Sequence, residues 1–443
     1  MFFSCVWYLA IPTINQKVLS FPLETMVTDM EKLSLKELAV PVIKAIDSCN
    51  YLLKSHHRRT AVIAYHIGKK MNLEHDQLFT LVISAAIHDI GALSVQERDL
   101  LIREDVQNPR PHCEMGFKML SSFPPFAGVA QVIKHHHVRY AASLNMPEGE
   151  VPLESHILHL ADRVDIIVNP EVFVLKQKAA VVDRIRENVG TVFHPQVFEA
   201  FTAAAVPDIF WIEINNLELD QLFRRVDSSL NFTLSLDNIL EFALTISRII
   251  DFRSHFTASH SYTVANLAHE IGKIFGFSPE RCLKLKISGY LHDIGKIGVD
   301  PEKKKKNGPL TDDEFDLVKL HTYYTGQILS TLSMSEWFNE IVTWAQNHHE
   351  KIDGSGYPYS LHDENLDTGC KILAFSDVIS ALMEDRPYRK SLSIDTAFEI
   401  IRDKLAAKIS PTMFEVIAQH RQVINDIVEQ SHKNVLKEYM SEV

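Results

Sequence analysis

Around its histidines the chain places apolar residues at every third and fourth position, most plainly in HSYTVANLAHEIGKIF (260–275) and CLKLKISGYLHDIG (282–295). Residues three and four apart share one face of a helix, so this spacing predicts amphipathic helices. No stretch sustains the alternation of apolar and polar positions that a half-buried strand needs. The pattern predicts an all-α protein.

The pattern also repeats. Asp47, His56, Ile67, Gly68 and the run His88-Asp89-Ile90-Gly91 return as Asp251, His260, Ile271, Gly272 and His292-Asp293-Ile294-Gly295, each displaced by 204 positions without a gap. Beyond the His-Asp pairs the halves differ in length, since His112 follows His88 by 24 residues and His321 follows His292 by 29. Each half then carries a histidine cluster, His135-His136-His137 or His348-His349, and an aspartate in an apolar helix, Asp162 in ILHLADRVDII or Asp377 in ILAFSDVISAL.

Such a repeat is the mark of a tandem of one structural unit. The 443 residues accommodate two domains of ordinary size, read as 35–206 and 236–425. An extension (1–34), a connector (207–235) and a tail (426–443) complete the division. The connector, PDIFWIEINNLELDQLFRRVDSSLNFTLS, has little Gly or Pro, so it is expected to pack as a joint that brings the two domains into contact.

Composition narrows the partners. An apolar fraction of 46% with 23% charge is that of a folded globular chain. The formal net charge of -12 argues against DNA, RNA or anionic membrane as general partners and leaves a small anion held by local charge. Five separated cysteines, Cys5, Cys49, Cys113, Cys282 and Cys370, form no CxxC pair and suit reduced thiols in the cytoplasm. The apolar start MFFSCVWYLAIP is shorter than the about 20 residues of a membrane span and lacks a basic leader. Residues 1–25 are read as an over-extended start or a docking strand, with Met26 opening a more ordinary stretch.

His260, His292, Asp293, His321, His348, His349 and Asp377 make up an inventory of imidazoles and carboxylates suited to Fe, Mn, Zn and similar divalent ions. A dinuclear site needs about six such ligands with one bridging carboxylate, for which Asp293 is the natural choice. A hydroxide held between two ions about 3.5–4 Å apart can attack a phosphoryl centre. One histidine alone would be read as a satisfied core or surface group. The ordered set is different, because a buried, unpartnered carboxylate costs several kcal/mol.

Between His260 and Arg389 the motifs HSYTVANLA, LHDIGKIG, PLTDDEFDLVKLHTYYTGQIL, NHHEKIDGSGYP, KILAFSDVISAL and DRPYRK follow one another. In order and spacing they resemble the HD-GYP subgroup of the HD phosphohydrolase superfamily. The resemblance implies that the seven residues bind two divalent ions, Fe or Mn before Zn, Ni, Co or Mg. It also implies that Asp293 and Lys296 are catalytic, with Lys296 beside the scissile phosphate. Lys296 stands one turn past Asp293 and can reach the same cavity, the alternative being a snorkelling surface lysine.

The loop DGSGYP, with Gly356 and Tyr357, is expected to shape the substrate site and to contact partners such as a GGDEF-domain protein; its glycines also suit a plain sharp turn. Arg386 and Arg389 are read as a phosphate fork or as helix-end ion pairs. Lys306 closes the run Lys303–Lys306, an electrostatic funnel or a solvated loop. Phe256 stands where three-metal members carry glutamate, which points to two metals, and Ser254 and Ser380 replace customary aspartates.

The first half keeps His56, His88, Asp89, His112, His136, His137 and Asp162, although which two of its three adjacent histidines would bind stays open. Ala92 replaces the lysine, and HHHVRYAASLNMP replaces the Gly-Tyr-Pro loop. It is read as a degenerate copy, able to hold metal but doing little chemistry.

The expected function is metal-dependent hydrolysis of a cyclic dinucleotide, 3',3'-cyclic GMP-AMP and/or cyclic di-GMP, to a linear 5'-phosphorylated dinucleotide. Tandem proteins with a degenerate first half resemble those that prefer the mixed nucleotide. One alternative is a non-catalytic module binding a cyclic dinucleotide or a GGDEF partner, against which the intact ligands and Lys296 speak. A generic HD nucleotide phosphohydrolase is the other, made less apt by the DGSGYP loop. A homodimer is a further expectation.

Overall fold

The computed structural model describes residues 43, 55–92, 110–226, 235–252, 259–298, 311–330, 332, 336–385 and 389–441. Among these the chain is helical, with no strand and only isolated bridges such as Val189 with Phe193 and Asp353 with His362. The all-α expectation holds. Asp47, Ser254, Phe256, Lys303–Lys306 and Arg386 lie outside the described residues, as do Cys5 and Cys49.

The first half runs through α1 (His56–Lys70), α2 (His75–Ile87), a 3-10 turn (His88–Gly91), α3 (Arg110–Ser121), α4 (Ala127–His135), α5 (Leu153–Ile167), α6 (Lys178–Arg186) and α7 (Pro195–Ala205). Helix α1 is the centre, packed on α2, α5 and α7. Its apolar stripe of Val62, Ile63 and Ile67 is fully buried. In the connector, α8 (Asp208–Asn216) returns to α1, and α9 (Leu219–Arg225) follows it. Arg58 donates to the carbonyls of Ile214 (3.2 Å) and Leu217 (2.8 Å), groups that a helix end leaves without intrahelical partners.

The second half comprises α10 (Leu236–Phe252), α11 (His260–Ile274), α12 (Pro279–Leu291), a 3-10 turn (Ile294–Gly298), α13 (Asp312–Leu329), α14 (Asn339–Gln346), α15 (Thr368–Met383), α16 (Ile394–Lys404), α17 (Pro411–Gln419) and α18 (Arg421–Ser441). Local sequence starts these helices. Ser278, Thr311, Asp367, Ser393 and Ser410 each cap the helix that follows, and Pro279 and Pro411 occupy first-turn positions. Trp344, Phe375, Ile379, Phe398 and Ile417 join α11, α14, α15, α16 and α17 in one core. Helix α18 carries that packing past residue 425 through buried Val428.

One helix touches both halves. Phe242 of α10 lies 5.7 Å and 6.3 Å from the rings of Phe123 and Phe126, and Thr245 Oγ1 is 3.3 Å from Ser122 Oγ. Elsewhere α10 packs on α12 and on the 3-10 turn after it. Among the described residues no helix is long and apolar enough to cross a membrane.

Candidate metal centre

The His-Asp-Ile-Gly motif ends in glycine for a steric reason. A Cβ at Gly295 would lie 1.9 Å from the His321 carbonyl oxygen and 2.5 Å from Thr325 N, and one at Gly91 would lie 2.1 Å from the His112 carbonyl oxygen. Only glycine lets the turn lie that close to the next helix, and this closeness sets Asp293 beside His321. Thr325 pins the contact, its hydroxyl accepting from Gly295 N (3.0 Å) and donating to the His292 carbonyl (2.9 Å).

Asp293 divides its carboxylate between two groups. Its Oδ2 faces His292 Nε2 (3.1 Å) and His260 Nε2 (4.0 Å), with Asp377 Oδ1 3.1 Å from His260 Nε2. Its Oδ1 faces His321 Nε2 (3.6 Å) and His348 Nε2 (4.0 Å). His349 Nδ1 stands 3.7 Å from Asp377 Oδ2. The structure thus brings all seven expected ligands to one place.

Three imidazoles are held from behind. The Nδ1–H groups of His292, His321 and His348 donate to the carbonyls of Gly289, Val318 and Ala345, which leaves each Nε2 a lone pair directed at the cluster. His260 is held differently. Its Nδ1 lies 3.2 Å from Glu384 Oε2, and Ser380 Oγ donates to Glu384 Oε1 at 2.8 Å.

Electrostatics follow from this crowding. Burial alone would lower the His260 pKa, but Glu384 and Asp377 outweigh it and raise it to about 10. Burial works against the Asp293 carboxylate too, yet His292, Lys296 and His321 hold its pKa well below the usual range. Burial, helped by neighbouring imidazoles, pushes His348 and His349 well down.

The donor set suits a metal pair. Asp293 Oδ1 and His292 Nε2 are buried and make no hydrogen bond of their own, a cost that coordination would remove. Imidazole with carboxylate fits Fe, Mn or Zn. The edge of the site is open, with the His349, Asp377 and Lys296 side chains 23%, 13% and 31% exposed. The Lys296 ammonium is paired with Asp293.

Of the other expected substrate contacts, Tyr357 sits nearest, its ring 4.9 Å from that of His349. Gly356 lies so close to Glu350 that a Cβ would be 2.4 Å from Glu350 Cα, and the Glu350 carboxylate accepts from Tyr359 N (2.6 Å) and Leu361 N (2.9 Å). Arg389 clamps a helix end, donating to the carbonyls of Ala381 (2.7 Å) and Leu382 (2.8 Å) at the close of α15.

In the first half the ligand atoms of His56, His88 and Asp162 gather in one group, and those of Asp89, His112, His136 and His137 in another. The open choice among three histidines falls on the last two, whose ligand atoms gather with those of Asp89 and His112. His56 Nδ1 is held by Asp165 at 2.7 Å.

Glu384 and Asp165 are the residues that motif reading missed. Asp165 was within reach, because it aligns with Ser380 in the repeat. Glu384 lies beyond the end of α15, and no spacing rule points to it.

A tandem of helical modules, each gathering histidines and aspartates around a His-Asp turn, defines a class of metal-site proteins. The chain belongs to the HD domain family, whose profile matches residues 41–197 and 245–413. It is 27% identical over 404 residues to 3'3'-cGAMP-specific phosphodiesterase 1 of Vibrio cholerae, spanning 88% of this chain and 92% of that one. It is 31% identical over 196 residues to a cyclic di-GMP phosphodiesterase of Thermotoga maritima, spanning 44% and 53%. A crystal structure of a cyclic GMP-AMP specific phosphodiesterase from V. cholerae shares the fold, with a TM-score of 0.60 at 22% identity over 87% of this chain and 97% of that one.

Proposed function

We propose that the second half, residues 236–425, hydrolyses a cyclic dinucleotide to a linear 5'-phosphorylated dinucleotide. The observation that carries this is Asp293, whose two oxygens face separate ligand groups while Lys296 stands beside it. His260, His292 and Asp377 would hold one ion, His321, His348 and His349 the other, and Asp293 both. The ions, Fe or Mn by the mixed ligand set, supply Lewis acidity toward water and phosphoryl oxygen when bound. Water adds to phosphorus, the P–O3' bond breaks, and the 3' oxygen leaves with a proton.

Around that chemistry, Lys296 offsets phosphoryl charge, and Tyr357 presents an aromatic wall to the substrate. The relative that matches the chain across both halves is named for 3'3'-cGAMP, which supports the mixed nucleotide over cyclic di-GMP as preferred substrate. The free thiols of Cys113, Cys282 and Cys370 support a cytoplasmic setting. At the Gly354–Pro358 loop, Tyr359 and, on α13, Phe315, whose ring lies 6.1 Å from that of Tyr357, are exposed and support docking of a GGDEF-domain protein.

The test is incubation of the metal-reconstituted chain with 3',3'-cyclic GMP-AMP, cyclic di-GMP and cyclic di-AMP, with products identified by mass. A linear dinucleotide bearing a 5'-phosphate is expected, fastest from the mixed substrate. No linear product from any of the three would overturn the reading.

A further inference from the structure

The ligands of the first half are matched in geometry as well as in kind. Asp89 turns Oδ2 to His88 Nε2 (3.4 Å) and Oδ1 to His112 Nε2 (3.7 Å) and His136 Nε2 (4.0 Å), the same division that Asp293 makes. Asp162 Oδ1 lies 3.4 Å from His56 Nε2 and 3.7 Å from His88 Nε2. The Nδ1–H groups of His88 and His136 donate to the carbonyls of Ala85 (2.9 Å) and Ile133 (2.6 Å), so each Nε2 is again presented inward.

Access is what differs. Arg163 takes the place of Val378, and its Nε and Nη2 donate to Asp162 Oδ2 at 3.0 Å and 2.7 Å. The Asp162 side chain is 2% exposed, against 13% for Asp377. In place of Lys296 stands Ala92, fully buried. His137 is half-buried, as His349 is, with His159 edge-on to it at 5.4 Å and backed by Phe193 at 5.6 Å. Metal sites that hold structure are closed by protein, whereas catalytic ones keep an open position.

We infer that the first half binds its own pair of divalent ions as a closed centre, capped by Arg163, that braces the fold and admits no phosphodiester. Helix α3 gains most from it. That helix supplies His112 and leads on to Ser122 and Phe123, which touch α10 of the second half. Ions that bind only the folded chain stabilise it by mass action. The inference uses the ligand chemistry of the proposed function but not its reaction, and ion counting separates the two.

The experiment is equilibrium dialysis of the full chain against Mn2+ with elemental analysis and thermal melting. The wild type should hold about four ions, two at each bridging carboxylate. Asp293→Ala should keep about two and still melt higher with Mn2+ than without it. If that variant does not fold, the wild-type count decides. A folded Asp293→Ala that holds no ion, or a wild type that saturates at two ions which Asp89→Ala retains, would overturn the inference. Closure has its own readout, because EDTA should strip the wild type in a fast and a slow phase and Arg163→Ala should speed the slow one. A slow phase that Arg163→Ala leaves unchanged would rule out the cap.

Discussion

Glu384 Oε2 lies 3.2 Å from His260 Nδ1, and both side chains are buried. The carboxylate fixes the imidazole's orientation and keeps Nε2 turned to Asp377 and Asp293. In the first half Asp165 does the same for His56, from a position that corresponds to Ser380. In the second half the carboxylate stands four residues further along the chain, and the Ser380 hydroxyl steadies it.

Glu384→Ala should therefore weaken metal binding by about 10- to 100-fold, the usual range for losing a partner behind a ligand histidine. Adding Ser380→Asp to the same chain should recover most of the loss, because an aspartate there repeats the arrangement of Asp165. Competition against a fluorescent chelator measures both. Equal affinity in Glu384→Ala and wild type would show that Glu384 does not position His260.

Asp293→Ala should abolish hydrolysis, since Asp293 turns one oxygen to His292 and His260 and the other to His321 and His348. Lys296→Ala should act differently, lowering kcat by about 10²–10³ through loss of a cation at the phosphoryl group while metal content stays near normal. Steady-state kinetics with parallel metal analysis separates the two. A Lys296→Ala chain with unchanged kcat would return that lysine to the status of a surface cation.

Burial raises the Asp251 pKa to about 7, even though His260 and the hydrogen bonds from Ser261 pull it down. Its folded value exceeds its unfolded one, so its stabilising contribution is complete below about pH 4 and is lost as pH rises through about 7. Within that window the metal-free chain should lose up to about 1.4 kcal/mol per pH unit from this group. Asp251→Asn keeps an oxygen for Ser261 N and should remove this slope. Urea denaturation of EDTA-treated wild type and variant across pH 4–8 makes the comparison, and parallel profiles would contradict the assignment.

Phe242 joins the halves through Phe123 and Phe126. Phe242→Ala should cost about 3–5 kcal/mol, the range for truncating a buried phenylalanine. It should also split a single unfolding transition into two, because fewer contacts then bind the halves together. Calorimetry reads both effects, and a variant that melts as the wild type does would place the coupling elsewhere.

The class of the fold and the ligands were legible along the chain because each depends on local order. Helical periodicity needs only neighbours three and four apart, and the shift of 204 positions from His88-Asp89 to His292-Asp293 needs only counting. What folding alone decided was which groups meet. Arg389, read as a phosphate fork or a helix-end partner, closes α15 because its guanidinium reaches the carbonyls of Ala381 and Leu382. Glu384 reaches His260 only because α15 and α11 pack side by side. Ala92 looks like a mark of decay in a motif, yet in three dimensions it is buried and Arg163 pairs with Asp162 over a ligand set that Asp89 still divides in two. Residue types and spacing constrain what a site can be made of, whereas its exposure depends on contacts between segments far apart in the chain.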